Sequence, residues 1–98
     1  MKPENVNPNN FNVEYILYDN GNFSIAYGIW EKSKSSIAMR WNGNGNDPGY
    51  PKLFNNPVWF LIDDNLKLPI IKSLLELSGS NNENIIKTLK KELKITCP

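Results

Sequence analysis

Asn12–Trp30, NVEYILYDNGNFSIAYGIW, decides the fold class. Residues 12–19 and 23–30 are rich in β-branched and aromatic side chains, the types that suit a pleated, half-buried surface. Asn20-Gly21 lies between them and supplies residues that tolerate the positive φ a tight hairpin turn needs, so two antiparallel strands are predicted. With Asn20-Gly21 as a two-residue turn, Tyr18 faces Phe23, Ile16 faces Ile25 and Glu14 faces Tyr27.

Working outward, Glu31–Ser35 is a polar turn and Ser36–Trp41 a third strand. A turn centred on Ser33 pairs Ile25 with Trp41, Tyr27 with Met39 and Ile29 with Ile37. One sheet face then carries Ile16, Phe23, Ile25, Tyr27, Ile29, Ile37, Met39 and Trp41, a core face for helices to cover. The other carries Ser24, Ala26, Gly28, Ser36, Ala38 and Arg40, flanked by Val13, Tyr15, Leu17 and Trp30. That second face is a trough of small side chains rimmed by aromatics, and it is the expected recognition surface.

Asn42–Asn56, rich in Asn, Gly and Pro, is neither helix nor uninterrupted strand. Val58–Ile62 is a fourth strand, ended by Asp63-Asp64-Asn65. Residues 67–78 read as a helix with Pro69 in its first turn, an apolar face of Ile70, Ile71, Leu74, Leu75 and Leu77, and Gly79 as its stop. Ser80-Asn81-Asn82-Glu83 matches a capping box for a second helix over about 81–95. Its apolar face is Ile85, Ile86, Leu89 and Leu93, and lysines 87, 90, 91 and 94 cover the other side. The expected architecture is an α+β fold: a four-stranded antiparallel meander followed by two C-terminal helices packed on one sheet face. Residues 1–10 are expected to form a flexible arm and 11–98 a single domain.

Composition bounds function. Eleven basic and ten acidic residues give a net charge of +1, too balanced for a dedicated duplex-DNA binder or an acidic nucleic-acid mimic. The lone Cys97 cannot form an intramolecular disulfide. The opening MKPENVNPNN lacks the apolar core of a signal peptide, and no apolar run reaches membrane-spanning length, so a cytoplasmic protein is expected.

Catalytic constellations are sparse. Histidine is absent, which removes His-based acid–base chemistry, triads and His-containing zinc sites. Asp63-Asp64 is the only adjacent carboxylate pair, and it reads as a strand end favouring the positive end of the following helix. An enzymatic site, if present, would draw on Asp63, Asp64 and Arg40. Asn42–Asp47 alternates oxygen-bearing side chains but lacks the carboxylates of a calcium loop. Gly43, Gly45 and Gly49 do not lead into a helix, as a dinucleotide fingerprint must. No catalytic residue, metal or cofactor is therefore assigned.

Binding residues are easier to nominate. Arg40, Trp41, Tyr50, Lys52, Phe54 and Trp59 mix cations with aromatics in and around the loop, with Trp41 and Trp59 expected to be at least partly buried. Tyr15, Trp30, Arg40, Tyr50 and Lys52 are the candidate contact residues. Four antiparallel strands followed by a helix, over roughly residues 12–78 and with a Trp-Asn-Gly at 41–43, is similar in topology to the small transcriptional-coactivator domains that bind single-stranded DNA on a curved sheet. That similarity implies a fold and no site residue. The favoured function is a non-catalytic module that recognises a protein partner, as an inhibitor, immunity or adaptor protein or as a homodimer, through the small-residue face and the 42–56 loop. The alternative is single-stranded nucleic-acid binding by the basic and aromatic residues, with affinity falling steeply in salt.

Overall fold

The computed structural model describes residues 2–93. The expected last turn of the second helix, Lys94 and Cys97 lie outside the described residues. A 3-10 turn at Pro3–Asn5 precedes β1 (Phe11–Asp19), β2 (Phe23–Trp30) and β3 (Lys34–Trp41). Two short strands, β4 (Lys52–Leu53) and β5 (Asn56–Pro57), form a separate hairpin within the loop. After β6 (Phe60–Leu61) come α1 (Asp64–Ser73), a 3-10 turn at Leu74–Glu76, and α2 (Asn82–Glu92). The main sheet is antiparallel in the order β1-β2-β3-β6, so the fold is α+β as its sequence order implied.

Register differs from the sequence reading in two ways. Between β2 and β3 the turn sits at Glu31-Lys32, both with positive φ, so Phe23 pairs with Trp41, Ile25 with Met39 and Tyr27 with Ile37. That is a shift of two residues, which preserves every face because side chains alternate with period two. In β1 the consequence is larger. Irregularities between Val13 and Tyr15 and between Ile16 and Tyr18 insert extra residues, and Asp19 rather than Tyr18 closes the hairpin, opposite Ser24. Each inserted residue reverses the side on which the following side chains emerge. Tyr15 therefore lies opposite Tyr27 and Leu17 joins the helix-side core, while Ile16 lies opposite Ala26. The expected placements of Tyr15, Ile16 and Leu17 are thus exchanged between the faces.

Two cores result. Leu17, Ile25, Tyr27 and Ile37 share one buried cluster with Ile71 and Leu74 of the first helical segment and Ile85 of α2. The small-residue face forms the second, in which Ala26 and Ala38 pack with Val6, Phe11 and Trp59. The trough is therefore not an open surface. Its small residues make room for two rings of the chain itself: Phe11 and Trp59 lie 6.1 Å apart, and the Trp59 indole N–H donates to the Val6 carbonyl at 2.7 Å. Within residues 2–10, expected to form a flexible arm, Val6 is buried in the second core and the Asn7 side chain accepts from the Val13 amide. A Cβ on Gly28 would stand 2.3 Å from the Asn12 carbonyl oxygen, so the close backbone approach that glycine permits is an internal one.

Helix boundaries follow their caps. Asp63 accepts from the Asn65 amide at 3.2 Å and starts α1 three residues earlier than expected, which puts Pro69 inside the helix instead of in its first turn. Asn81, not Ser80, caps α2 by accepting from Asn84, and the Ser80 hydroxyl donates to the Leu74 carbonyl instead. Ile85, Thr88 and Leu89 form the inner side of α2, leaving Ile86 largely exposed.

Candidate functional site

With the small-residue face filled, the unusual surface lies at the uncovered end of the other face, where β3 meets the 42–58 segment. That segment is built around Arg40. The Arg40 side chain is 1% exposed and has no carboxylate partner among the described residues. One guanidinium nitrogen (Nη1) donates to the Val58 carbonyl at 2.5 Å and reaches that of Pro51 at 3.4 Å; the other (Nη2) donates to the Pro48 carbonyl. Its charge also lies 6.0 Å from the centre of the Trp59 ring. Burial lowers its pKa from the usual arginine value. Arg40 is thus an internal pin, not the exposed contact the sequence nominated.

Further bonds close the loop base. Trp41 and Tyr50 exchange backbone hydrogen bonds at 2.7 and 3.1 Å. Asn42 is buried, accepting from the Ser24 hydroxyl at 2.7 Å and donating to the Asp19 carboxylate at 3.1 Å. Gly49 has φ +77°, and a Cβ there would lie 2.0 Å from the Trp41 carbonyl oxygen. Beyond this base, the Val58 amide donates to the Pro51 carbonyl and the β4–β5 hairpin projects with Phe54 and Asn55 at its tip, both at positive φ.

The pinned base leaves large apolar side chains facing solvent. Trp41 is 56% exposed, Tyr50 66%, Leu53 62%, Phe54 97% and Phe60 63%. Trp41, Tyr50 and Phe60 border a cleft of about 210 Å³, lined also by Phe23, Met39, Arg40, Pro51 and Ile62. Phe23 stands edge-on to Trp41 with ring centres 4.7 Å apart. Lys52 is the sole charged residue between positions 48 and 62. An apolar, aromatic-walled concavity of this kind offers burial and stacking, with little for ionic recognition.

The five nominated residues scatter. Tyr50 lines the cleft and Lys52 is exposed on β4 beside it. Trp30 is half-buried against the second core. Tyr15 stacks on Tyr27 at 6.3 Å, with Lys87 and Lys91 of α2 at 5.9 and 5.2 Å from its ring centre. Phe60, Leu53 and Phe23 were missed. Phe60 was hidden because Val58–Ile62 reads as a full strand; only Phe60–Leu61 pairs, as the outer strand beyond β3, and its ring stays in solvent.

Other polar groups serve the fold. Asp63 caps α1, and Asp64 pairs with Lys34 at 2.8 Å, which holds its carboxyl below the usual range. No hydrogen bond or ion pair among the described residues joins either to Arg40. Glu92 receives the Tyr27 and Ser35 hydroxyls at 2.5 and 2.8 Å and Lys67 at 2.7 Å, tying both helices to the sheet. Among the described residues, no group of three or more metal-binding side chains occurs, and no helix is long and apolar enough to cross a membrane. Compared with protein-family models, curated proteins and solved structures, the chain matches none.

Proposed function

We propose that this chain is a non-catalytic protein-recognition module whose contact surface is the aromatic cleft and the adjoining β4–β5 hairpin. The observation that carries it is the concentration of five large apolar side chains, each more than half exposed, within residues 41–60. Contiguous exposed apolar surface on a small protein marks a contact site, and aromatic enrichment with few charges is the composition of an interface centre. The small-residue face, expected to share this role, packs against Phe11 and Trp59, which favours the cleft over it as the contact surface.

Burial of Arg40 weakens the nucleic-acid alternative. Stacking of single-stranded bases works alongside a cationic groove that follows the phosphates. With Arg40 buried, Lys52 is the one charged residue of positions 48–62.

Selection from a displayed random-peptide library tests the reading. Apolar, aromatic-rich peptides are expected to bind the wild-type protein and to lose at least tenfold affinity on a Tyr50→Ser/Phe60→Ser variant. Peptides that bind both proteins equally would remove the cleft from the account. A saturable tryptophan-fluorescence response to a mixed-sequence DNA strand, collapsing as salt rises, would favour the alternative.

A further inference from the structure

We propose that the occupant of this surface is a second copy of the chain, in a two-fold dimer where Phe54 of each protomer enters the cleft of the other. The inference rests on the reading of the cleft and hairpin as a protein contact, and names the partner.

Area is the first argument. At about 200 Å² per large apolar side chain, the exposed parts of the cleft walls Trp41, Tyr50 and Phe60 amount to roughly 370 Å², and Phe54 at the hairpin tip adds about 190 Å². The largest apolar patch on a typical monomer is about 300–600 Å². A stable interface covers about 800 Å² on each partner, of which these four side chains supply roughly two-thirds and a polar rim the remainder.

Shape is the second. A two-fold interface requires one surface that complements itself, so that a residue of one copy meets a second residue of the other and the reverse. This chain carries a protrusion and a concavity side by side. Phe54 stands 97% exposed at the tip of a hairpin whose first strand follows directly on Pro51, a wall of the cleft. A cleft of about 210 Å³ with apolar walls suits one aromatic ring. The feet of the protrusion are tied together, because the Val58 amide donates to the Pro51 carbonyl and Arg40 donates to the Val58 carbonyl. Phe54 also sits at φ +49°, a conformation costly for a bulky residue, while its ring is almost wholly exposed. Insertion into a partner would bury that ring.

Charge is the third. Two identical surfaces bring like charges together, and a strongly charged patch would resist self-association. Lys52 is the only side chain charged at neutral pH in residues 48–62, and the Arg40 guanidinium in the cleft wall is buried.

Sedimentation equilibrium of the full chain, from about 1 to about 200 μM, decides the matter. A reversible dimer is expected. Phe54→Ser removes one anchor from each half of the interface and is expected to raise the dissociation constant roughly 1,000-fold, about 30-fold per anchor. At concentrations low enough for the wild type to be monomeric its melting temperature should match the wild type, since the ring touches little in the monomer, and only the wild type should melt higher as concentration rises. Phe60→Arg, which spoils the cleft but keeps the hairpin, should also be monomeric. An equimolar mixture of the two variants restores one of the two insertions, and heterodimers should appear at about 30-fold weaker affinity than the wild type. A dimer indifferent to Phe54→Ser, or two variants that do not complement, would overturn reciprocal insertion. A wild-type monomer at about 200 μM that still binds selected apolar peptides in its cleft would overturn the second-copy proposal while leaving the recognition reading standing. A monomer that binds neither would end both.

Discussion

Arg40→Met separates a structural pin from a decorative arginine. Methionine keeps an apolar stem of similar reach and removes all the donors. The Pro51 carbonyl retains the Val58 amide as a partner, so the carbonyls of Pro48 and Val58 are the ones left without a donor. A buried acceptor left unpaired costs about 1–3 kcal/mol. Against this, the wild type carries the expense of a buried guanidinium without a carboxylate, which the variant sheds. We expect the lost bonds to win and the net destabilisation to be about 2–3 kcal/mol. For a chain of this size that corresponds to a fall of roughly 10–20 °C in melting temperature, followed by circular dichroism. Hydrogen exchange adds a local test. The Trp41, Tyr50 and Val58 amides, which donate around the loop base, should exchange faster in the variant than amides between β2 and β3. A melting temperature within about 2 °C of the wild type, with unchanged exchange at those three amides, would refute the assignment of Arg40 as the pin.

Three further outcomes are expected. Burial raises the pKa of Glu92, but the hydrogen bonds from Lys67, Tyr27 and Ser35 outweigh it and leave the carboxyl below its ordinary 4.5. Its stabilisation is therefore complete above that value and lost as pH falls through the lower folded value; Glu92→Gln should flatten the acid limb of a urea-midpoint titration, and an unchanged limb would exclude the link. Tyr27 is pushed up to about 12, first by burial and then by Glu92, so the folded state holds its proton more tightly. That contribution is intact below pH 10, is lost as pH rises towards 12, and should vanish from the alkaline melting profile of Tyr27→Phe. Gly28→Ala places a Cβ 2.3 Å from the Asn12 carbonyl oxygen and 2.9 Å from the Phe11 ring, and should lower the melting temperature by about 5–15 °C, with Gly28→Val worse; wild-type stability would show that β1 can move aside.

The two hairpins joining β1, β2 and β3, the order of main-sheet strands and helices, and the alternation of β2 and β3 were legible because each rests on local pattern: turn residues, β-rich runs and a period of two; the β4–β5 hairpin, inside a segment read as loop, was not. The faces of β1 were not. The stretch VEYILY carries apolar residues at nearly every position, so its alternation fits either side. Only the bulges decide which of Ile16 and Leu17 meets the helices, and those arise from pairing with β2 and docking of the α2 N-terminus on Leu17 and Ile16 carbonyls. The trough misled for a related reason. Small residues in a strand indicate close approach without naming what approaches, and here it is Phe11, Trp59 and the Asn12 backbone. The aromatic content of the loop was visible, but its division was not: Trp59 is buried, while Trp41 remains more than half in solvent.

Arg40 had a signal in the sequence that bears on the site as a whole. Pro48, Pro51 and Pro57 each remove a backbone donor from a segment of eleven residues, 48–58, which therefore has carbonyls in excess of amides. Such a segment cannot satisfy itself by a ladder and would ordinarily turn its carbonyls to water. Guanidinium is the complementary group, with five donors and no acceptor in a fixed fork. An arginine on the neighbouring strand can draw three of those carbonyls inward and fold the segment around one buried cation. The same step turns the remaining side chains of the segment outward, because the interior beneath the loop is taken by the guanidinium and Trp59. Exposure of Tyr50, Leu53 and Phe54 is then a consequence of how the loop satisfies its backbone. Lysine at position 40 would present three donors from a single atom, without the planar spread that reaches Pro48 on one nitrogen and Val58 on another. Arg40→Lys should therefore retain the sheet yet loosen the hairpin, weakening contact at the cleft more than it lowers the melting temperature.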